Sequence, residues 1–486
     1  MMLITKRTIY IAVLSLICFA PKAYGQRFDE RIQKVRDDFE NRRKTVLSAF
    51  EDRRANINRE YSEILGREWK PAGERILRSN PIKEIPSLPQ QSASKVVQTP
   101  IQINSEATHL IPDNRRPEPL TEIVDSPHGA QSFLHSTFYG ADVSVRFEVK
   151  SLCYLESTDP SGIKTLWNKF STVDYNNLIA DYYETCKSLE LCDWASMLLS
   201  LEVSEMVYGN DYSNESIVLQ SYILTQCGFM TCLIRDKNNV LHLLVATDKY
   251  LEGYPEYNIA GYNMYQVDRK DIVASYTPDE PFVNTVPLRM AFSCPGKFGN
   301  KPYKTDKGAF VNENDISFFA DYPPFFDDND PVSAFSYLAS VSLSYEAQET
   351  LYPYLRNKIK DLNEVEAVHL LLIYFYNVFP YKTDEEMWGE ERHFFPEETL
   401  YYGYSDCEDR AILFTRIVRD ILGLKTALIY MPGHLSAAVR FNVDVEGDAV
   451  ISDGDRYLVC DPTFKRAVVG QIMPGWDEKD MRLIVL

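Results

Sequence analysis

The sequence predicts an α+β protein, and three observations point to that class. In the C-terminal third, apolar residues at helical spacing run up to Gly423. Strand patterns follow in succession, at 426–430, from His434 onward and at 457–460, with no helix between them. Near the N-terminus, aromatic and branched residues recur every eleven positions, which belongs to a long helix rather than to a strand. A proline-rich stretch separates these two regions.

A chain of 486 residues with a hydrophobic fraction of 45% has ample material for a core, so wholesale disorder is excluded. The formal charge is -19, and it is unevenly spread. The first 130 residues sum to +4, so residues 131–486 carry -23. Such a body repels phosphate, which argues against a general nucleic-acid or anionic-membrane binder.

Residues 1–25 read as a secretory signal peptide. Lys6 and Arg7 precede an apolar run at 9–20, and Ala23-Tyr24-Gly25 forms a small-x-small cleavage pattern before Gln26. The run is short for a membrane anchor. Ile17 is too bulky for a lipid-attachment site at Cys18. No later stretch of eighteen apolar residues occurs, so the expectation is an exported protein without a membrane span, periplasmic or extracellular, of bacterial-envelope type.

Residues 26–70 carry the repeat. Phe28, Phe39, Phe50 and Tyr61 are eleven apart; Val35, Val46 and Ile57 follow the first three by seven; Arg31, Arg42 and Arg53 recur as well. Eleven residues over three turns keep one stripe aligned on a nearly straight helix, expected over 27–69 and ended by Pro71. Both charge signs mix on its polar face, which favours an oligomerising or packing helix over a membrane-surface one. Residues 71–130 hold nine prolines and read as an extended linker, with His109 and His128 as solvated residues.

The chemistry lies further on. Ser405-Asp406-Cys407-Glu408-Asp409-Arg410 leads into a helix with Ile412, Leu413, Ile417, Val418 and Ile421 on one face. Cys407 therefore sits at a helix start, where backbone N–H groups and the dipole favour a thiolate. His434 opens a strand after the turn at Pro432-Gly433, and Asp461 follows the next strand pattern. A thiolate paired with an imidazole attacks an amide carbonyl, the imidazole protonates the leaving amine, and a carboxylate on the other ring nitrogen fixes the tautomer. The Cys407 N–H is one natural oxyanion donor.

These residues resemble a known family. Asp406-Cys407-Glu408-Asp409, Gly433-His434 and Cys460-Asp461-Pro462-Thr463 look like the three motifs of the transglutaminase-like superfamily. Tyr381, Asp384, Trp388-Gly389 and Pro396-Glu397-Glu398-Thr399-Leu400 are similar to the bacterial transglutaminase-like cysteine proteinases. The match covers about residues 335–475. It implies a papain-like fold, with the Cys helix packed on an antiparallel sheet that bears His and Asp. It also implies an upstream amide side chain at the oxyanion site, for which Asn377 is the candidate. Some bacterial relatives bind calcium through acidic residues flanking the Cys; Asp406 and Glu408 occupy those positions, and hard oxygen ligands suit calcium. No cofactor is otherwise required.

After signal removal eight cysteines remain, and an even count in an exported chain invites disulfides. A Cys407–Cys460 pair is disfavoured because Cys460 faces away from its neighbour Asp461 on a strand. His369 and His393 read as structural.

The middle third reads as an inactive copy. Residues 210–229 align with 405–424 without a gap, bringing Asp211 to Asp406, Ile217 to Ile412 and Gly228 to Gly423. His242 then falls near the place of His434 and Asp268 near that of Asp461, while Tyr212 replaces the nucleophile. The expected organisation is thus a degenerate unit at 131–285, a connector at 286–333 whose Tyr322-Pro323-Pro324-Phe325-Phe326-Asp327-Asp328 reads as a surface loop, with the lining of a substrate cleft as the alternative, and a catalytic unit at 334–486. The function expected is an exported cysteine peptidase or amidase acting on a protein or peptide. Acyl transfer to an amine and a non-catalytic scaffold are the alternatives.

Overall fold

The computed structural model describes residues 22–73, 75–76, 102–104, 107–109, 117–126, 128–209, 213–270, 272, 275–281, 284–327, 330, 332–463, 467–473 and 481–486. The signal-peptide run at 9–20, Asp211 and Tyr212 lie outside them. The chain divides into two compact units, 1–59 and 60–486.

The described residues of the first unit, 22–59, are helical. The helix Lys22–Leu65 spans 44 residues, starting earlier than the repeat predicts and ending four residues sooner. Its length is about 66 Å at 1.5 Å per residue. Val35, Phe39 and Val46, three members of the eleven-residue pattern, are exposed along it. Leu65 is followed not by more helix but by a turn at Gly66, and Trp69 Nε1 donates back to the Leu65 carbonyl at 3.0 Å. Lys70–Pro71 then pairs as a strand with Tyr276–Thr277. Pro71 lies at a sheet edge, where its missing N–H costs little.

The second unit mixes helices with antiparallel sheets, which is the α+β class expected. In its C-terminal part the helix Cys407–Leu422 buries Ala411, Ile412, Leu413, Phe414, Ile417 and Val418. Each large apolar side chain so buried contributes about 1.5–3 kcal/mol. Gly423, at φ +67°, ends the helix in the left-handed conformation that glycine adopts without strain. The helix packs on a curled sheet whose order is Gln102–Asn104, Ala449–Ser452, Asp455–Val459, His434–Arg440, Lys425–Met431, Arg482–Val485 and Ala107–His109. The five central strands are antiparallel. The two outer ones, both from the stretch read as linker, add parallel to either edge. Only two residues lie between Asn104 and Ala107, a reach of at most about 11 Å, so the sheet curls until its edges approach.

The preceding part of the unit holds a second sheet, ordered Lys70–Pro71, Tyr276–Thr277, Thr231–Arg235, Leu241–Ala246, Tyr262–Gln266 and Glu256–Ile259. From Tyr276–Thr277 onward this repeats the order of the five central strands of the first sheet, and here too a buried helix, Asn214–Gln226, comes just before them in sequence. His242 lies in the second strand after that helix. Asp268 follows the last residue of its strand by two positions, as Asp461 does Val459.

The connector departs from expectation. Tyr322, Phe325 and Phe326 are buried rather than on a surface loop. Phe325–Phe326 pairs with Tyr250–Leu251, and the Tyr322 hydroxyl donates to the Met290 carbonyl at 2.5 Å. Phe319 stacks on Phe395 at 4.4 Å, so the aromatic residues of the connector complete a core ahead of the Cys407 helix.

Candidate active site

Cys407 is the first residue of its helix and is 3% exposed. Asp409 braces the turn before it, accepting the Asp406 N–H at 3.3 Å and the Phe394 N–H at 3.1 Å. Arg410, almost wholly buried, reaches Ser405 Oγ at 3.3 Å, donates to the Phe379 carbonyl and lies 5.1 Å over the Tyr381 ring. Bridge pairing of Tyr381 with Ser405 fixes that contact. The upstream motif residues form a buttress. Asp384 accepts the Arg392 N–H at 2.7 Å, and the Arg392 guanidinium bonds Glu398 at 2.8 Å while sitting 4.6 Å over Trp388 and 5.0 Å over Tyr402. Asp384, Trp388, Glu398 and Tyr402 thus meet around Arg392.

The turn at Pro432-Gly433 places His434 at the first position of its strand, paired with Met431. Positive φ at Gly433 allows this tight hairpin. His434 Nε2 is 2.8 Å from Asp461 Oδ2, and both side chains are buried. Asp461 Oδ1 accepts the Thr463 N–H at 2.8 Å, which fixes the carboxylate. With Nε2 given to Asp461, Nδ1 is the ring nitrogen left on the other side of the imidazole. The Cys407 sulfur lies at the backbone N–H of Leu435, the residue after that histidine. The three expected catalytic residues are therefore gathered at one end of the sheet.

The state of the thiol differs from the expectation. Burial, and after it the carboxylates of Glu408 and Asp406, push the Cys407 thiol well above its ordinary value, although the Leu435 N–H opposes them. The thiol donates to Glu408 Oε2 at 3.0 Å. The helix dipole alone favours a thiolate, but here it is outweighed by negative charge in a buried site. Asp406 and Asp409 are also raised, by burial first and then by their acidic neighbours. Glu408 goes the other way: burial opposes ionisation, yet His393 and hydrogen bonds from Asp406 and Cys407 hold it below the usual range. His393, expected to be merely structural, has Nδ1 3.3 Å from Glu408 Oε1. Its place in a loop fourteen residues before Cys407 carried no periodic signal.

Asn377 is not brought to the site. It is exposed, and its amide donates to the Ile373 carbonyl of its own helix at 2.8 Å. Cys407 and Cys460 are both free thiols, with Cys460 buried and its thiol raised by burial.

In the middle part, His242 Nδ1 is 2.6 Å from Asp268 Oδ2, while Nε2 is 4.0 Å from Asp236 Oδ2. The pair is present, but the ring presents the opposite nitrogen to its carboxylate.

No family model matches the chain, and no curated protein matches it. Among the described residues no helix is long and apolar enough to cross a membrane.

Proposed function

We propose that residues 334–486 form a transglutaminase-like, papain-like hydrolase of amides, acting on a protein or peptide through Cys407, His434 and Asp461. The observation that carries this reading is the His434–Asp461 bond of 2.8 Å on the strand whose next residue, Leu435, presents its N–H to the Cys407 sulfur.

In the proposed cycle, His434 Nδ1 takes the Cys407 proton as the sulfur attacks the substrate carbonyl. Asp461 holds the imidazole in the tautomer with the proton on Nε2 and stabilises the imidazolium. The Cys407 N–H at the helix start receives the developing oxyanion. The amide C–N bond breaks, the amine leaves with the proton from His434, and a thioester remains. Water, activated by the same imidazole, then releases the acid and restores the thiol. An amine in place of water gives acyl transfer instead.

The middle part is read as a degenerate copy of this unit. Its support is the shared order of five strands and the buried His242–Asp268 pair at corresponding positions. Export to the periplasm or exterior rests on the signal-like residues 1–25. Self-association through residues 27–69 rests on the repeat and its exposed stripe.

A scaffold without turnover is favoured by one observation, the burial of Cys407 with its thiol hydrogen-bonded to the Glu408 carboxylate. A peptide library incubated with the protein and with Cys407→Ala, with and without an added amine, tests the proposal. Cleavage lost in the variant supports hydrolysis, amine incorporation supports transfer, and identical profiles from both proteins overturn the enzyme reading.

A further inference from the structure

We infer that Glu391, His393 and Glu408 form a binding site for a borderline divalent cation of the zinc class, one side chain away from Cys407. The inference deepens the proposed active site but needs no turnover to be examined.

The geometry comes first. One ligand atom from each of the three residues lies within 4.8 Å of the other two. His393 Nδ1 is 3.3 Å from Glu408 Oε1 and 3.7 Å from Glu391 Oε1. A tetrahedral ion with bonds of about 2.0–2.1 Å to nitrogen and oxygen holds its donors about 3.3–3.4 Å apart. The two separations from His393 are thus close to the edge of a coordination tetrahedron, and the two carboxylates, within 4.8 Å of each other, can close the third edge by side-chain rotation.

Two polar atoms support an ion rather than a closed hydrogen-bond network. His393 Nδ1 is shielded from solvent yet makes no well-aligned hydrogen bond, although two carboxylates are near it. Asp406, 7% exposed, leaves Oδ1 without a hydrogen-bond partner, and it belongs to a second cluster that also contains Glu408. Glu408 thus lies between two side chains that each keep one lone-pair-bearing atom without a hydrogen-bond partner, His393 Nδ1 and Asp406 Oδ1. The His393 side chain is 20% exposed and packs edge-on against Phe335 at 4.9 Å, so the site has both an opening and a fixed imidazole.

The donor chemistry selects the ion. An imidazole with two carboxylates, and a thiol hydrogen-bonded to one of them, suits zinc, cobalt or nickel. Calcium takes six to eight oxygens, and the side chains gathered here offer a nitrogen and a sulfur among few carboxylates. The set fits the zinc class better than the calcium that the resemblance implies at Asp406 and Glu408. The same Glu408 carboxylate that ligates the ion also accepts the Cys407 thiol proton, which makes the site a point of control over the nucleophile.

Cobalt(II) titration of the full chain, followed by visible absorption and equilibrium dialysis, tests the inference. We expect one equivalent bound with intense d–d bands, retained in Cys407→Ala, and an affinity lower by at least about tenfold in His393→Ala and Glu391→Gln. A tenfold excess of calcium leaves the bands unchanged. Absence of stoichiometric binding, binding indifferent to both substitutions, or displacement by calcium overturns it. Circular dichroism of each variant separates loss of a ligand from loss of fold, and the more exposed Glu391 provides the gentler substitution. Failure here leaves the hydrolase reading standing, because that reading is judged by peptide cleavage without metal.

Discussion

Cys407 gives its thiol hydrogen to Glu408, its own neighbour in the helix, across 3.0 Å. A nucleophile at a helix start is thereby held as a neutral thiol. Burial contributes most to this, and Glu408 is the largest charged contributor. Glu408→Gln removes the charge while keeping a polar side chain of the same shape. The rate of Cys407 alkylation by iodoacetamide near neutral pH then rises, by roughly threefold for each tenfold gain in thiolate, because a less basic thiolate is also a weaker nucleophile. Mass spectrometry of Cys407-containing peptides across pH 6–9 measures it. A rate no faster than in the parent protein would show that Glu408 does not restrain the thiol.

Buried acid carboxyls of the second unit set the pH dependence of folding. Burial pushes Asp384, Glu397 and Glu398 each up to about 7, and Asp315 up to about 8. An acid whose folded pKa lies above its unfolded value binds more protons in the native state. Its contribution is complete below about pH 4, where both states are protonated, and is lost as pH rises through the folded value. Glu408, depressed in the fold, works in the opposite sense and loses its contribution only in strong acid. The melting temperature is therefore expected to fall by at least about 5 °C between pH 5 and pH 8. Calorimetry at constant ionic strength reads this directly, and a rise over the same interval would contradict the assigned protonation states.

Asp461 holds His434 through Nε2, so its substitution should alter chemistry more than structure. Asp461→Asn keeps the size but can hold the ring in the wrong tautomer, and a loss of roughly 10³–10⁴ in amide cleavage is expected, as in serine-protease triads. Nitrogen-15 NMR of the imidazole supplies a second readout. A proton still fixed on Nε2 in the variant, with turnover unchanged, would remove Asp461 from the mechanism.

The exposed stripe of the N-terminal helix gives a separate expectation. Val35, Phe39 and Val46 are all more than half exposed, and their spacing is that of the eleven-residue repeat. If two copies associate through this stripe, Phe39→Asp with Val46→Asp lowers the mass measured by light scattering to that of a single chain. The melting temperature of residues 60–486 stays unchanged, because the substitutions lie in the other unit. An identical mass for parent and variant removes the self-association role.

The sequence made the site legible where chemistry and local geometry coincide. Cys407 at a helix start, His434 after a Pro-Gly hairpin and Asp461 after a strand depend on short-range signals, and the structure gathers them at one sheet end. The charge state of Cys407 was not legible, because it depends on burial and on how Glu408 orients, which no spacing encodes. Asn377 failed for a related reason: its helix turns it outward, where its amide bonds the Ile373 carbonyl. The edge strands at Gln102–Asn104 and Ala107–His109 come from a stretch whose prolines outnumber its strand signals. Their pairing is dictated by the open edges of the sheet rather than by local propensity.

The middle part permits a final discrimination. His242 is 2% exposed and bonds Asp268 through Nδ1 at 2.6 Å. Burial opposes ionisation of Asp268, but the His242 hydrogen bond holds its carboxyl below the ordinary range. A buried pair that has lost its catalytic partner should survive for its part in the fold. Asp268→Ala leaves the imidazole without its partner, at a cost of about 3–5 kcal/mol, and urea unfolding should show the loss. The alkylation rate of Cys407 should not change, because neither residue of the pair belongs to its site. A variant that unfolds normally but alters Cys407 reactivity would mean that the second His–Asp pair takes part in the chemistry, and the degenerate-copy reading would fail.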